Sequence, residues 1–334
     1  MEERQYTMAT DFKPLIVKEL DTLRQADLMD KFVFPARAYA TAIEALQSLP
    51  GPITKLDDVK GVKGVGAKIQ LKIEEILTTG KLKAADEVRA KLPLEAYEVL
   101  QKVHGIGPAK AKDLVKAGIM TLDQLRKASA ENAKLLTAAQ KLGLHYYEDA
   151  LLRIPRDEMV EHESLILSGL DSQFTGTVVG SYRRGAASSG DIDVLLTLPD
   201  TMSKKEQGEL FTEMVTLFKE VYIVDTLSSG PTKFLGYARL DEEHPVRRLD
   251  LLMVPKSEYA YAILYFTGSQ QFNVAFRSFA LDKGYTLNEH RMEPTKEGVP
   301  PVPPMETEED IFRFLGLVYV EPFHRRDGRD IQSL

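Results

Sequence analysis

The 334-residue sequence has no cysteine. That excludes disulfides, thiolate zinc sites, iron–sulfur clusters and a cysteine nucleophile. Histidine is scarce: only His104, His145, His162, His244, His290 and His324 are present, and no two are spaced H-x-x-x-H. A histidine metal site is therefore not expected. Long apolar runs are missing too. The longest strongly apolar stretch, residues 259–266, is far short of the roughly 20 residues needed to span a bilayer. The opening stretch MEERQYTMATDF is acidic and polar and does not read as a signal peptide. The expectation is a soluble, intracellular protein. There is no excess of positive charge: 43 basic against 50 acidic residues give a net charge of −7, which argues against a general polyanion binder.

Apolar residues make up 43% and charged residues 28% of the chain, enough for a sizeable core and about two domains at roughly 150 residues each. Local charge differs from the average. Residues 1–90 are balanced, with 14 basic and 14 acidic side chains, but residues 55–83 and residues 101–120 each carry a net +3. Residues 10–92 read as helical, with Leu15, Val17, Leu20, Leu23 and Leu28 near helical spacing and residues 36–49 rich in helix formers. Ile69, Ile73, Ile76 and Leu77 form one stripe, and residues 93–150 continue the helical texture. Beyond residue 155, β-branched runs at 175–179, 194–198 and 221–226 alternate with helical stretches such as 204–219. The proline-dense segment 299–305 reads as an extended loop. The polar tail 324–334 reads as frayed.

One pattern occurs twice. Val62-Lys63-Gly64-Val65-Gly66-Ala67-Lys68 and Val103-His104-Gly105-Ile106-Gly107-Pro108-Ala109-Lys110 lie 41 residues apart, each within a basic island. Glycine permits positive φ and close backbone approach. The helix start that follows offers free N–H groups and a positive dipole end, a setting for phosphate. The alternative is a tight inter-helix turn and nothing more. The pattern resembles the helix-hairpin-helix motif, which grips the DNA backbone without reading sequence. That resemblance implies a monovalent cation, Na⁺ or K⁺, on the carbonyls of Lys60, Val62 and Val65, and of Gln101, Val103 and Ile106.

Lys68 and Lys72 are i, i+4 neighbours. A second cation nearby lowers an amine's pKa, and such a lysine can form a Schiff base with an aldehyde. On spacing alone, a solvated basic face with Lys72 paired to Glu75 is the simpler account.

The densest signal is Gly180-Ser181-Tyr182-Arg183-Arg184-Gly185 followed by Gly190-Asp191-Ile192-Asp193 and an apolar strand. Asp191 and Asp193 at i, i+2 place two carboxylates on one strand face. Asp250 lies inside a second apolar strand, where a charge seldom serves packing. Three carboxylates suit Mg²⁺ and can hold two ions roughly 3.5–4 Å apart for an in-line displacement. The Gly180–Ser181 turn can cradle a triphosphate, and Arg184 can add charge-assisted hydrogen bonds. A bare D-x-D is often only a turn or capping acid. The combination of G-S, the spacer, D-x-D and the apolar strand reads as a nucleotidyltransferase.

In these segments the chain resembles the family X DNA polymerases, the beta-like branch in particular. The resemblance is carried by GSYRRGAASSGDIDVLLTLP, RIPRDEM, DTLSSGPTKFLG, RRLDLLMVPK, YFTGSQQFN and KGYTLNEH, and in the helical half by GVGAKIQLKIEEILTTGKL and VHGIGPAKAKDLVKAGIMTLDQLR. It covers about residues 10–323 in order, with no BRCT-type segment ahead of it. It implies an α+β multidomain chain. Residues 10–90 would be a helical 5′-deoxyribose phosphate lyase domain with the first helix-hairpin-helix. Residues 91–152 would be a helical DNA-binding subdomain with the second. Residues 153–256 would be a nucleotidyltransferase palm with a mixed sheet, and residues 257–334 a small α/β nucleotide-selecting subdomain with the tail.

The same resemblance assigns roles. Asp191 and Asp193 would bind both Mg²⁺ ions, for which Mn²⁺ can substitute. Asp250 would bind the ion at the primer end and accept or relay the 3′-hydroxyl proton. Ser181, Arg184, Ser189 and Gly190 would hold the dNTP triphosphate, with Arg153 a more distant helper. Tyr265, Phe266 and Gly268 would wall off the sugar and favour deoxynucleotides. Asn273 would meet the base edge, Arg277 the template strand, and Lys233 and Arg248 the primer side. Lys72 would attack the sugar aldehyde, with Lys60 and Lys68 on phosphate and Tyr39 in the same pocket. Gly64, Gly66, Gly105 and Gly107 would bring backbone to DNA. The sequence departs from the family at Phe34, Pro35 and Ala84, which implies weaker 5′-phosphate capture. It departs again at Gln270, beside the incoming base, at Val274, where a lysine stacks on the template, at His290, as in the lambda-like branch, and at Leu252, where an arginine helps switch the palm between open and closed states.

The expectation is a gap-filling, templated DNA polymerase with lyase activity in base excision repair. It would act as a monomer on gapped or nicked DNA, in the nucleus, without proofreading. The alternatives are a lambda-like end-joining polymerase lacking efficient lyase activity and a non-catalytic DNA-binding scaffold.

Overall fold

The computed structural model describes residues 10–334, so most of the acidic opening stretch lies outside the described residues. The chain divides into two compact units, Met1–His145 and Tyr146–Leu334. Among the described residues the first is all helical: α1 (Lys13–Met29), α2 (Val33–Gln47), α3 (Ala67–Thr79), α4 (Lys83–Lys91), α5 (Leu94–Gln101), α6 (Pro108–Lys116), α7 (Leu122–Glu131) and α8 (Ala138–His145). Ile16, Leu20, Leu46, Ile53, Ile73 and Ile76 are fully buried in the core that α1, α2 and α3 share. Each such side chain contributes about 1.5–3 kcal/mol by leaving water. The Ile69, Ile73 and Ile76 stripe read from the sequence is the buried face of α3.

The second unit opens with α9 (Tyr147–Leu151), β1 (Ile154–Pro155), α10 (Arg156–Ser168), β2 (Thr175–Val178), α11 (Gly180–Arg183) and β3 (Ser188–Ser189). It continues with β4 (Ile192–Thr197), α12 (Lys204–Val221), β5 (Ile223–Ser229), β6 (Lys233–Ala238) and β7 (Arg247–Met253). It ends with α13 (Tyr259–Thr267), α14 (Gln270–Asp282), β8 (Tyr285–Leu287), β9 (Met292–Pro294) and α15 (Glu308–Phe314). A five-stranded sheet runs β2-β4-β7-β6-β5. Only the central β4–β7 pair is parallel; β2–β4, β6–β7 and β5–β6 are antiparallel. This is the mixed sheet expected of the α+β reading.

The sheet has two covered faces. Strand β7 alternates strictly between buried and half-buried positions, as period-2 geometry requires. Leu249, Leu251 and Met253 join Ile192, Val194 and Leu196 of β4 in a core covered by Phe211, Met214, Val215 and Phe218 of α12. On the other face Val179, Leu195 and Leu252 pack against Ala262, Ile263 and Phe266 of α13. Helix α12 starts at a reciprocal cap. The Ser203 hydroxyl accepts from the Glu206 N–H and the Glu206 carboxylate accepts from the Ser203 N–H, an arrangement contributing about 1 kcal/mol.

Two sequence expectations change. The strand anticipated from residue 221 begins at Ile223, because α12 continues to Val221; its apolar stripe still has Phe218 to bury. The tail is tied down rather than frayed. Val318 N–H donates to the Gln332 carbonyl and Leu334 N–H to the Gly316 carbonyl, both at 2.9 Å, and Arg325 is fully buried.

Candidate active site

Strands β4 and β7 build the acidic centre. Their parallel register pairs Asp193 directly with Asp250, and Asp191 immediately precedes β4. Period 2 puts Asp193 and Asp250 on the α13 face. They line a cavity of about 70 Å³ with Lys233, Leu235, Leu252, Val179 and Phe266. Burial, then the Asp191 and Asp250 charges, push the Asp193 carboxyl up to about 7. Asp191 is exposed by surface area yet crowded by protein on its inner side. That crowding and Asp250 push its pKa upward, against the pull of Arg248 and Arg153. Asp250 Oδ1 accepts from Arg248 Nη2 at 2.7 Å.

The turn beside the acids requires its glycine. Gly180 has φ +64°, and a Cβ there would lie 2.9 Å from Asp193 Oδ2. Val179 N–H donates to the Asp193 carbonyl at 2.9 Å, which fixes the turn against β4. Ser181 Oγ donates to Ser189 Oγ at 3.1 Å, and Ser189 is buried. Arg153 is fastened through Ser188, with its Nε 3.1 Å from the Ser188 hydroxyl and Nη2 on the Ser188 carbonyl. Its Nη1 would lie 3.3 Å from a Cβ on Gly190. The structure thus brings together Arg153, Ser181, Ser189, Gly190, Asp191, Asp193 and Asp250. Arg184 is half-buried, its pKa is lowered by burial, and its Nη1 donates to the Thr267 carbonyl at 2.6 Å.

The end of α13 and the start of α14 form a second group. Tyr265 and Phe266 meet edge to face with centroids 5.0 Å apart. Asn273 Nδ2 donates to the Tyr265 carbonyl at 2.7 Å. Arg277 lies over the Tyr265 ring at 4.8 Å and pairs with Glu289 at 3.3 Å. Gly268 has φ +66°, and a Cβ would come within 3.3 Å of Arg184 Nη1.

In the helical unit the two glycine turns share a backbone. Gly64 and Gly105 take φ +94° and +80°, while Gly66 and Gly107 are extended N-caps of α3 and α6. Positive φ is thus needed only at the first glycine of each pair, and at Gly64 a Cβ would also meet Thr41 Cγ2 at 2.8 Å. Of the six carbonyls singled out, those of Val62 and Val103 accept turn N–H groups, and that of Val65 accepts from Gln70 Nε2 at 2.9 Å. Lys60 pairs with Asp57 at 2.6 Å. Lys68 is exposed and Lys72 half-buried. Glu75 is taken by the Lys83 N–H at 2.7 Å, so it is not the simple partner that spacing suggested for Lys72. Asp27, which the sequence reading missed, sits where Lys72 opposes the upward shift that burial and Asp30 impose on it; burial, then the Asp27 charge, raises Tyr39.

Among the described residues, no three acidic or histidine side chains converge as ready metal ligands, and Asp250 is paired with Arg248. The donor chemistry nevertheless fits a hard divalent cation. Asp191, Asp193 and Asp250 lie on or beside the paired strands β4 and β7, and burial, then the Asp191 and Asp250 charges, raises Asp193.

Residues 153–256 match the DNA polymerase beta palm, residues 262–326 the DNA polymerase beta thumb, residues 98–151 the fingers domain of DNA polymerase lambda, and residues 11–82 a helix-hairpin-helix domain. DNA polymerase lambda of Rattus norvegicus is 34% identical over 95% of the chain, and DNA polymerase lambda of Arabidopsis thaliana 31% identical over 86%. The chain spans 57% of the length of each of these relatives. A nucleotidyltransferase palm joined to helix-hairpin-helix elements defines the class. The chain belongs to the family X DNA polymerases.

Proposed function

We propose that the chain is a templated, gap-filling DNA polymerase that adds dNMPs to a primer 3′-hydroxyl. The observation that carries this reading is the in-register pair Asp193–Asp250, with Asp191 beside it and the Gly180–Ser181 turn against Asp193. Asp191, Asp193 and Asp250 would hold two Mg²⁺ ions, which would neutralise charge on the transferring phosphoryl group and on the attacking and leaving oxygens. Asp250 must share or leave its pair with Arg248 to do so, and its carboxylate oxygen is the acceptor for the primer hydroxyl proton. Ser181, Ser189, the Gly190 backbone, Arg184 and Arg153 orient the triphosphate. Tyr265, Phe266 and Gly268 bound the sugar, and Asn273, Arg277, Lys233 and Arg248 contact base, template and primer.

The palm is assigned to residues 153–256 and the nucleotide-selecting subdomain to 257–334. Residues 91–152 bind duplex DNA, and residues 10–90 carry 5′-deoxyribose phosphate lyase activity for base excision repair. In that domain the Lys72 amine adds to the C1′ aldehyde and water leaves to give a Schiff base. A base takes a C2′ proton, the C3′–O bond breaks with the downstream strand leaving as its 5′-phosphate, and water hydrolyses the imine to free the lysine and the unsaturated sugar phosphate. The half-buried setting of Lys72 near Asp27, which in turn lies near Tyr39, supports this assignment. Backbone binding at Gly64–Gly66 and Gly105–Gly107, with Na⁺ or K⁺ on the turn carbonyls, makes affinity salt-sensitive and indifferent to sequence.

A second reading, an end-joining polymerase of the lambda branch, is favoured by the lambda fingers match over residues 98–151. Extension of a one-nucleotide-gapped duplex, with each dNTP and rNTP offered singly in Mg²⁺, tests the main reading. Addition of the complementary dNMP alone is expected. No extension, or addition without regard to the template, overturns it. Faster filling across two paired overhangs than in the gap would favour the second reading.

A further inference from the structure

Two consecutive arginines of the proposed triphosphate turn reach one residue of the proposed sugar wall. Arg183 Nη1 donates to Thr267 Oγ1 at 2.6 Å, and Arg184 Nη1 donates to the Thr267 carbonyl at 2.6 Å. Thr267 is fully buried, ends α13 and lies between Phe266 and Gly268. The YFTGSQQFN segment contains it, but no role fell to it from the sequence.

The grip is anchored from behind. Arg183 also donates to both oxygens of Glu308, at 3.2 and 2.7 Å, and Glu308 is only 5% exposed. Glu308 Oε1 takes a further bond from Arg325 Nη1 at 2.5 Å. Arg325 is itself fully buried, 5.7, 5.5 and 5.4 Å from the ring centroids of Phe272, Phe312 and Tyr319. Charge-assisted hydrogen bonds in a water-poor site are short and stiff. Apolar contacts between α13 and the sheet alone would let the helix end slide, because dispersion and burial are not directional.

We propose that Thr267 is a positioning residue for sugar discrimination: held by Arg183 and Arg184, it fixes the distance between the triphosphate turn and the Tyr265–Gly268 wall. This rests on the polymerase reading above. A nucleotide's sugar lies between its phosphates and its base. With the phosphates seated at Gly180 and Ser181, the clearance at the 2′ carbon is set by how far the wall stands from that turn. A ribose differs there by one hydroxyl, so a wall that drifts by about an ångström loses its power to refuse it. Gly268 belongs to the same device, since any side chain would meet the Arg184 guanidinium.

The test compares kcat/KM for a dNTP and the matching rNTP on gapped DNA in wild type, Thr267→Val and Thr267→Ser, with melting curves alongside. Thr267→Val removes the acceptor for Arg183 and leaves the carbonyl for Arg184. The dNTP/rNTP ratio is expected to fall about fivefold, the scale of one hydrogen bond, with a raised KM for the dNTP. Thr267→Ser keeps the hydroxyl and restores the ratio. A purely structural role lowers the active fraction for both substrates alike and leaves the ratio and KM where they were. An unchanged ratio in Thr267→Val, in a preparation that extends primers, overturns the inference alone. A wild type that extends primers with no dNTP overturns the polymerase reading, and the inference with it.

Discussion

The two units of the chain collect charge in opposite ways. The C-terminal unit presses carboxylates together on adjacent strands, and burial, then the neighbouring charges, lifts Asp193 to about 7. The N-terminal unit spreads cations along helices behind two glycine turns of the same backbone form. Those cations are not equivalent. Behind Gly64, Lys68 stands exposed. Behind Gly105, Lys110 Nζ donates to the Leu135 carbonyl at 2.6 Å, and Lys112 Nζ pairs with Asp30 and the Met29 carbonyl. A buried cluster of like charges is costly enough to mark a ligand site. A basic island near a turn is weaker evidence, because its lysines can equally serve the fold.

The largest effect expected from breaking this contrast is at Asp193. Asp193→Asn removes a charge that has no substitute, and gap filling should fall about a thousandfold, read as single-turnover rates. Gly64→Ala comes next. It forces a side chain into positive φ and against Thr41, for a loss of about 1–2 kcal/mol in denaturant unfolding. Gly66→Ala, at an extended position with nothing within 4 Å, should cost well under that.

The two turns are separated more finely by salt. Lys68→Ala should lower the slope of log affinity against log salt by about one. Lys110→Ala should leave the slope alone and lower the melting temperature. The smallest effect concerns His162, fully buried with Nδ1 2.7 Å from the Tyr222 hydroxyl and Nε2 facing Glu158. Burial lowers its pKa from 6.5 to about 4, although Glu158 pulls the other way. The unfolded chain therefore takes up a proton that the fold refuses. Stability should be complete above pH 6.5 and fall as pH drops toward 4. Melting temperatures between pH 7.5 and 5 should follow that direction, and His162→Gln should flatten it.

Much of the site was legible because its chemistry is local. Asp191 and Asp193 sit at strand spacing, Asp250 is one acid in an apolar run, and the glycine turns precede helix starts. The pairing of Asp193 with Asp250 was not legible, since register between distant strands is set by the packed sheet. The clamp of Arg183, Glu308 and Arg325 on Thr267 was equally hidden, as was Asp27 beside Lys72. Each joins residues far apart in the chain, and neither propensity nor periodicity reports such contacts. The tail misled for the same reason: its composition is polar, yet Arg325 is buried against three aromatic rings.

The most direct measurement assays two variants for two activities. Asp193→Asn and Lys72→Ala are each tested for gap filling and for borohydride trapping on a 5′-incised abasic duplex. Asp193→Asn should lose gap filling and keep trapping, while Lys72→Ala should lose trapping and keep gap filling. Loss of both activities in either variant, or trapping that survives Lys72→Ala, would contradict an assignment of separate chemistries to the two units.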